Sequence, residues 1–219
     1  MKKFELTTES ITFLGRTLFR IKALISFGNV KAGELGGYIE KEGNLSHEGN
    51  AWVSGDAEVS GDAWVSGDAE VSGDAWVYDN ARVYGNARVY GNARVSGDAR
   101  VSGNAWVYGN ARVSGDARVS GNAWVSGDAW VSGDARVYGN AWVSGDADIA
   151  TISGFGSEYR TTTFFRTKND EIAVKCGCFY GTLAEFREKV KKTHGDNRYA
   201  KEYLMIADLM EMHFRGEEE

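Results

Sequence analysis

A six-residue pattern of small apolar and polar positions repeats without interruption from residue 51 to residue 149. Its units read Ala-Trp-Val-Ser-Gly-Asp, with Arg or Glu replacing Trp, Tyr replacing Ser, and Asn replacing Asp in some of them. Val recurs at every sixth position from Val53 to Val143, and Ile149 is expected to close the series. A short fixed period predicts a solenoid, because one unit cannot bury its apolar face and must stack on its neighbours.

Each hexad predicts one short strand and one corner. Ala and Val are two positions apart, so both point into the core while the residue between them points outward. Gly gives the corner its backbone freedom, and Asp or Asn bonds within the turn. Three sides close a triangular coil of 18 residues, whereas two close a flat coil of 12. Identical outward residues recur about as often 18 positions apart as 12 positions apart, so their pattern does not decide between the two coils. We predict the 18-residue coil because one Val and one Ala per side suit a narrow prism.

Residues 1–44 break the period and predict a β cap ahead of the shaft, which we assign to residues 45–150. The stretch 11–21 contains β-branched and aromatic residues on both sides of a glycine, which is typical of a hairpin. Ile39 and Leu45 are expected to form irregular first sides, with two extra residues before the first regular hexad. Because the end of a solenoid exposes unpaired strand edges, this segment is predicted to cover them.

Residues 151–219 predict a C-terminal ββαα module. A hairpin is expected at 161–176, and the capping box that begins at Thr182 opens a helix that ends near Gly195. A second helix is predicted from about Asn197. The apolar faces of the two helices are Leu183, Phe186 and Val190 in the first, and Tyr199, Tyr203, Ile206, Met210 and Phe214 in the second. Three roles stay open for this module: to cap the shaft, to join two copies, or to contact a partner.

The net charge of −6 belongs to the shaft. Residues 51–149 contain 13 acidic residues and 7 arginines, and the remaining 18 acidic and 18 basic residues balance. An acidic shaft disfavours non-specific binding to nucleic acid. Two cysteines one residue apart make no disulfide framework, so a reducing cytoplasm is expected. The sequence shows neither the apolar core of a signal peptide nor an apolar run long enough to cross a membrane.

The hexads, together with 20–24, 33–41 and 44–46, resemble the YdcK-like β-solenoid repeat proteins. The resemblance covers about residues 10–149. These proteins are common in phage and prophage sequences and are grouped with the hexapeptide-repeat fold. The resemblance therefore implies a mainly β protein built on a left-handed parallel β-helix, of phage or prophage type. Relatives are often labelled acetyltransferases, but that label follows the fold, and fold does not imply function.

The residues that carry chemistry in such folds are sparse here. Acyltransferases of the hexapeptide class use a catalytic histidine between the β-helices of a trimer, but His47, His194 and His213 all lie outside residues 51–149. His47 is interpreted as a cap residue, and His194 as a cation that favours a helix C-terminus. Cys176 and Cys178 are interpreted as a buried pair on a strand, since a metal site normally needs four ligands. No catalytic residue, metal site or cofactor is predicted.

The outward positions hold the candidate binding residues. At 18 residues per coil, four arginines that follow Trp64 form one column, and three tryptophans form another. Asp98, Asp116 and Asp134 each precede an arginine by two residues and are expected to pair with it. The tryptophans are predicted to form an interface, because Trp is enriched in interaction hot spots. The predicted binding surface comprises Trp106, Trp124, Trp142, Trp130, Tyr90, Tyr108, Arg82, Arg100, Arg118 and Arg136.

Together these features predict a non-catalytic interaction protein that presents a rigid β-helix to a protein or nucleoprotein partner. The phage resemblance suggests an inhibitor of a host defence complex that acts in the host cytoplasm. Self-association through the tryptophans or the C-terminal module is a further expectation. Two alternatives stay open, namely an acyltransferase with an acyl-CoA site near His47 and a protein that sequesters nucleotides.

Overall fold

The N-terminal residues form an antiparallel hairpin that extends one sheet of the solenoid. In the computed structural model, which describes residues 1–13 and 15–215, β1 (Phe4–Phe13) pairs with β2 (Arg16–Ala23). Leu14, which the prediction includes in this hairpin, lies outside the described residues. Strand β3 (Leu35–Ile39) is antiparallel to β2 and parallel to the first coil that follows. Phe4 is fully buried in the same apolar core as the shaft, so the predicted β cap is confirmed.

Two-residue strands, one per hexad, form the shaft. Each consists of the outward residue and the valine that follows it. The strands are β4 (Trp52–Val53), β5 (Glu58–Val59), β6 (Trp64–Val65), β7 (Glu70–Val71), β8 (Trp76–Val77), β9 (Arg82–Val83), β10 (Arg88–Val89), β11 (Arg94–Val95), β12 (Arg100–Val101), β13 (Trp106–Val107), β14 (Arg112–Val113), β15 (Arg118–Val119), β16 (Trp124–Val125), β17 (Trp130–Val131), β18 (Arg136–Val137) and β19 (Trp142–Val143).

The coil contains 18 residues. Each shaft strand pairs in parallel with the third strand along the chain, as Val89 does with Val107, and this register excludes the 12-residue coil. The pairings build three parallel sheets, ordered β4-β7-β10-β13-β16-β19, β6-β9-β12-β15-β18, and β3-β5-β8-β11-β14-β17 with β1 and β2 added at its edge. Ile39 pairs with Val59 across 20 positions, which confirms the two extra residues of the first coil. The left-handed sense of the coil stays a prediction.

The interior and the corners follow the hexad. From Ala51 to Val143 the alanines and valines of the hexads are at most 2% exposed, so they fill the core as predicted. The corner glycines from Gly49 to Gly139 adopt positive φ, and Asp79, which replaces one of them, adopts φ 61°. Corner backbones also bond between coils, since the Asn104 N–H donates to the Gly121 carbonyl at 2.8 Å. Strands and corners are therefore continuous ladders along the shaft.

Both ends of the shaft carry a short 3-10 helix. The first, Glu42–Asn44, buries Asn44, whose Nδ2 donates to the carbonyls of Gly61 and Ala63 at 3.0 and 2.8 Å. The second, Asp146–Asp148, ends the coils. Here Gly145 has an extended φ of −156° instead of the positive φ of a corner, so the chain leaves the solenoid.

Ile149 packs against the core of the coils, as the last position of the apolar series should, but its strand does not pair with the coils. It begins β20 (Ile149–Ile152), which is antiparallel to β21 (Thr162–Arg166) in a separate sheet. That sheet continues with β22 (Ile172–Cys176) and β23 (Phe179–Thr182). The predicted hairpin corresponds to β21 and β22, while β20 and β23 were not predicted.

Two helices complete the C-terminal module, as predicted. In α1 (Leu183–His194) the capping box is present, because Glu185 accepts from the Thr182 N–H at 2.8 Å and Thr182 Oγ1 accepts from the Glu185 N–H. Helix α2 (Arg198–Arg215) follows, and the predicted module also includes residues 216–219, which lie outside the described residues. The predicted apolar faces are buried except for Tyr199, which is half-buried.

The module covers the C-terminal end of the shaft. Phe165 of β21 is fully buried and joins the core of the coils. Thr163 Oγ1 accepts from the Arg136 N–H at 2.9 Å, and the Lys168 N–H donates to the Asn140 carbonyl at 3.2 Å. Of the three roles left open by the sequence, capping the shaft is the one that these contacts demonstrate.

Candidate functional site

The 18-residue coil sorts the outward residues onto three faces. The aromatic face comprises Trp52, Glu70, Arg88, Trp106, Trp124 and Trp142. The arginine face comprises Trp64, Arg82, Arg100, Arg118 and Arg136. The mixed face comprises Glu58, Trp76, Arg94, Arg112 and Trp130. Because the backbone is the same on all three, the faces differ chemically only through these positions and the Ser or Tyr after each valine.

Five rings form a ladder on the aromatic face. Trp106 and Trp124 stack with ring centroids 5.1 Å apart and planes 4° apart, and Trp142 follows at 5.4 Å with a tilt of 47°. Tyr90 and Tyr108 stack beside them at 5.0 Å. Their edges meet the tryptophan rings at 6.2 Å for Tyr90 with Trp106 and 6.4 Å for Tyr108 with Trp124. We call these five residues the aromatic ladder.

The aromatic ladder is partly accessible. Trp142, at its C-terminal end, is 38% exposed, and the other four rings are half-buried. At the opposite end the Arg88 guanidinium lies 5.3 Å from the Trp106 ring and pairs with Glu70 at 3.4 Å. Burial, and next the neighbouring Tyr108, raise the pKa of Tyr90 above its usual value. The ladder therefore presents a continuous apolar strip with a charged pair at one end.

The arginine face lacks the predicted ion pairs. Arg82, Arg100, Arg118 and Arg136 are exposed, and none of them forms an ion pair within the part of the chain that the structure describes. The pairing with Asp98, Asp116 and Asp134 was predicted from two-residue alternation along a continuous strand. Each of those aspartates instead lies in a corner, which changes the direction of the chain before the arginine. The prediction that the column is neutralised is therefore wrong.

A groove runs along this face and ends at the module. It has a volume of about 250 Å³ and is lined by Arg100, Arg118, Arg136, Lys175, Tyr84 and Tyr138. Lys175 lies on β22, and its Nζ is 5.6 Å from the Tyr138 ring. Sequence reasoning missed Lys175, because no repeat pattern connects a module strand with the shaft. Tyr84 and Tyr138 could have been found from the sequence. Both follow the valine of a hexad, and they lie three 18-residue coils apart, so they belong to the same face.

Trp130 lies apart from the other predicted tryptophans. It belongs to the mixed face, where it is 54% exposed and its Nε1 donates to Ser114 Oγ at 3.2 Å. The residues predicted as one binding surface thus divide among three faces. The structure brings Trp106, Trp124, Trp142, Tyr90 and Tyr108 together and separates them from the arginines.

The histidines have structural contacts. His47 Nδ1 accepts from the Lys3 N–H at 3.2 Å, and its Nε2 lies 2.8 Å from Glu42. Its ring stacks on Phe4 at 4.4 Å, in agreement with a cap residue. His194 is the last residue of α1, as expected.

Cys176 and Cys178 are not a buried pair, so that interpretation is wrong. Cys176 ends β22, is half-buried, and its Sγ accepts from Thr162 Oγ1 at 3.2 Å. Gly177 then turns the chain, and Cys178 is exposed. Neither thiol forms a disulfide, and no group of three or more His, Cys, Asp or Glu side chains suitable for a metal occurs among residues 1–13 and 15–215.

The fold and its faces define the protein as a β-solenoid with stacked parallel coils and a helical module behind a C-terminal sheet. Segments of the shaft match the family described as YdcK Beta solenoid repeat, at residues 75–91, 81–97, 87–103, 93–109, 111–127, 117–133 and 129–145. No curated protein matches the chain. In the described part of the chain, neither helix combines the length and apolar character needed to cross a membrane.

Proposed function

We propose that this protein is a non-catalytic binding protein that presents its aromatic ladder to a protein partner. The observation that supports this most directly is the contiguous, partly exposed stack of Trp106, Trp124 and Trp142 beside Tyr90 and Tyr108. Exposed strips of this kind are uncommon in monomeric proteins and mark interaction surfaces. Trp and Tyr also supply much of the free energy at interface hot spots.

The scaffold suits such a role. Parallel ladders connect every coil to the next, and the N-terminal hairpin and the C-terminal module cover the two ends. The ring positions are therefore fixed before a partner binds, which lowers the entropic cost of association. A rigid surface with stacked aromatic rings favours recognition of a complementary apolar patch.

The resemblance to phage and prophage proteins supports a more specific form of the proposal. The partner would be a protein or nucleoprotein of the host, and the protein would act in the host cytoplasm by covering a functional surface of a defence complex. The competing hypothesis is that a second copy of this protein binds the same ladder. The following experiment distinguishes self-association from binding of a host protein.

The test compares two double variants in pull-downs from host lysate. Trp106→Ala with Trp124→Ala removes the centre of the aromatic ladder, while Trp64→Ala with Trp130→Ala removes two exposed tryptophans from the other faces. We expect one partner to be retained by the intact protein and by the control variant but lost with the ladder variant. Purified partner should then reproduce this difference in calorimetry, and circular dichroism should show that both variants are folded.

Two results would contradict the proposal. Equal retention by the two variants would show that the ladder is not the contact surface. A fall from oligomer to monomer in light scattering, seen only with the ladder variant and without a foreign partner, would assign the strip to self-association.

A further inference from the structure

The groove on the arginine face brings together four cationic side chains that form no ion pair in the described part of the chain. Arg100, Arg118 and Arg136 lie at the same position of consecutive coils, and Lys175 joins them from the module. The protein as a whole is acidic, so this groove is a local exception to its net charge of −6.

Stability does not account for this arrangement. Like charges on directly paired strands are destabilising, and the arginines are direct register partners. On the aromatic face the shaft solves the same problem by pairing Arg88 with Glu70 at 3.4 Å. The corner on one side of the arginine face is a neutral ladder in which Asn86 donates to Asn104, and Asn104 donates to Asn122, at 3.0 and 3.1 Å. The corner on the other side carries Asp98, Asp116 and Asp134, which form no ion pair with the arginines in the described part of the chain. The guanidinium groups of the arginine column are therefore available to an external anion.

The spacing of the cations indicates a linear ligand. Parallel strands lie about 4.8 Å apart, so the three arginines span roughly 10 Å along the shaft. Tyr84 and Tyr138 line the same groove and are 38% and 44% exposed. A basic groove with accessible aromatic rings is how proteins bind single-stranded nucleic acid, with cations on the phosphates and bases stacked on the rings.

We propose that this groove binds the phosphodiester backbone of a short single-stranded nucleic acid that runs along the shaft. Arg100, Arg118, Arg136 and Lys175 contact the phosphates, and Tyr84 and Tyr138 stack on bases. The site lies on a different face from the aromatic ladder. It therefore goes beyond the proposed protein-binding function and does not depend on it.

The first test measures binding of a labelled single-stranded oligonucleotide of about four residues by fluorescence anisotropy, because four residues is the short end of known single-strand site sizes and a larger probe would cover more than this groove. The groove variant carries Arg100→Gln, Arg118→Gln and Arg136→Gln. The control carries Arg88→Gln, Arg94→Gln and Arg112→Gln, which is the same charge change at the same hexad position on the other two faces. We expect at least a tenfold loss of affinity in the groove variant and less than about a twofold change in the control.

The salt dependence gives a second measure from the same titrations. Each phosphate neutralised on a single strand contributes about −0.7 to the slope of log K against log salt. Removing three arginines should therefore make the slope shallower by about 2. Equal losses of affinity in the groove and control variants would overturn the proposal, as would the absence of binding by the intact, folded protein at about 50 mM salt.

The second test identifies the ligand by its bases. Tyr84→Ala should weaken binding of the oligonucleotide by roughly tenfold, because one stacked base is lost, yet leave an abasic strand of the same length unaffected. A duplex and a mononucleotide are both expected to bind more weakly than the single strand. The assignment would be overturned if a sulfated tetrasaccharide bound as tightly as the single strand and Tyr84→Ala weakened the binding of neither. The groove would then bind polyanions in general and would not recognise nucleic acid.

Discussion

The aromatic and arginine faces share one backbone and one core, but their outward residues have opposite energetic effects. On the aromatic face, Trp106 and Trp124 stack at 5.1 Å, so the one-coil spacing brings attractive partners together. On the arginine face the same spacing places Arg100 beside Arg118 and Arg118 beside Arg136, without an ion pair in the described part of the chain. The first face contributes to stability, whereas the second opposes it.

This difference separates the requirements of the fold from those of binding. The fold requires the buried Ala and Val positions and the corner glycines, and it leaves the outward position free. A stacked aromatic residue in that position is explained by stability as well as by an interface. Stacked arginines gain no such stabilisation from their neighbours, so the arginine face is the more specific indicator of binding.

The largest expected effect is on unfolding free energy. Trp124→Ala removes a half-buried ring that stacks between two tryptophans and should destabilise the protein by about 2 kcal/mol. Arg118→Ala removes no attractive partner and should change stability by less than about 0.5 kcal/mol. Urea unfolding monitored by circular dichroism measures both. Trp64→Ala is the control for lost apolar area, since Trp64 is exposed at 43%. Equal effects of Trp124→Ala and Arg118→Ala would contradict the comparison.

A second prediction concerns the two corners that flank the arginine face. On one side Asn104 donates to Asn122 at 3.1 Å, whereas the equivalent positions on the other side, including Asp116, are aspartates without a donor. Asn104→Asp should destabilise the shaft by about 1 kcal/mol, because one hydrogen bond is lost. Asp116→Asn should stabilise it by a similar or smaller amount, because its new Nδ2 can donate to Asp134. The midpoints of urea unfolding should shift in opposite directions, and a shift in the same direction would show that neither corner is governed by its amide donors.

The repeat explains why most of the fold was predictable. The hexad repeats the same burial pattern in all sixteen shaft strands, so the core, the corners and the N-terminal cap could be predicted from local chemistry. The recurrence of outward residues alone did not decide the coil length, and the 18-residue coil was predicted from the single Val and Ala on each side. The register that pairs Val89 with Val107 confirms this prediction.

The candidate sites were less predictable, because they depend on contacts between parts of the chain that share no pattern. Lys175 reaches the groove only because β21 and β22 pack on the last coils. The expected pairing of Asp98 with Arg100 failed, because a corner interrupts the alternation that the inference assumed. Ile149 fitted the period but belongs to the next sheet, because the glycine before it adopts an extended φ. Periodicity thus predicts what a position faces within the shaft, and not what it contacts at the ends.

The third prediction sharpens the electrostatic side of the comparison. Arg118→Gln removes the central charge of the arginine column and should stabilise the protein by roughly 0.3 kcal/mol at low ionic strength. The gain should vanish at about 1 M salt, where the Debye length is shorter than the spacing between coils. Arg112→Gln is the matched control on the mixed face, because Arg112 has an arginine on one side and Trp130 on the other. Its stabilisation should be smaller. A gain that persists at high salt would show that repulsion is not its cause.

The smallest expected effect is a pH dependence that belongs to the aromatic face. Burial, followed by the proximity of Tyr108, raises the pKa of Tyr90 above its ordinary value of 10.0. As pH increases through this value, the unfolded chain loses the Tyr90 proton before the folded protein does. Unfolding is therefore favoured, and stability should fall from the ordinary pKa up to the raised pKa of the folded state. Tyr90→Phe should reduce this alkaline loss while keeping the stacked ring, whereas Tyr84→Phe on the arginine face serves as the control. Urea midpoints between pH 8 and pH 11, with ultraviolet titration of tyrosinate, measure the effect around the ordinary tyrosine pKa of about 10. If the intact protein and Tyr90→Phe lost the same amount of stability at alkaline pH, the aromatic ladder would not raise the pKa of Tyr90.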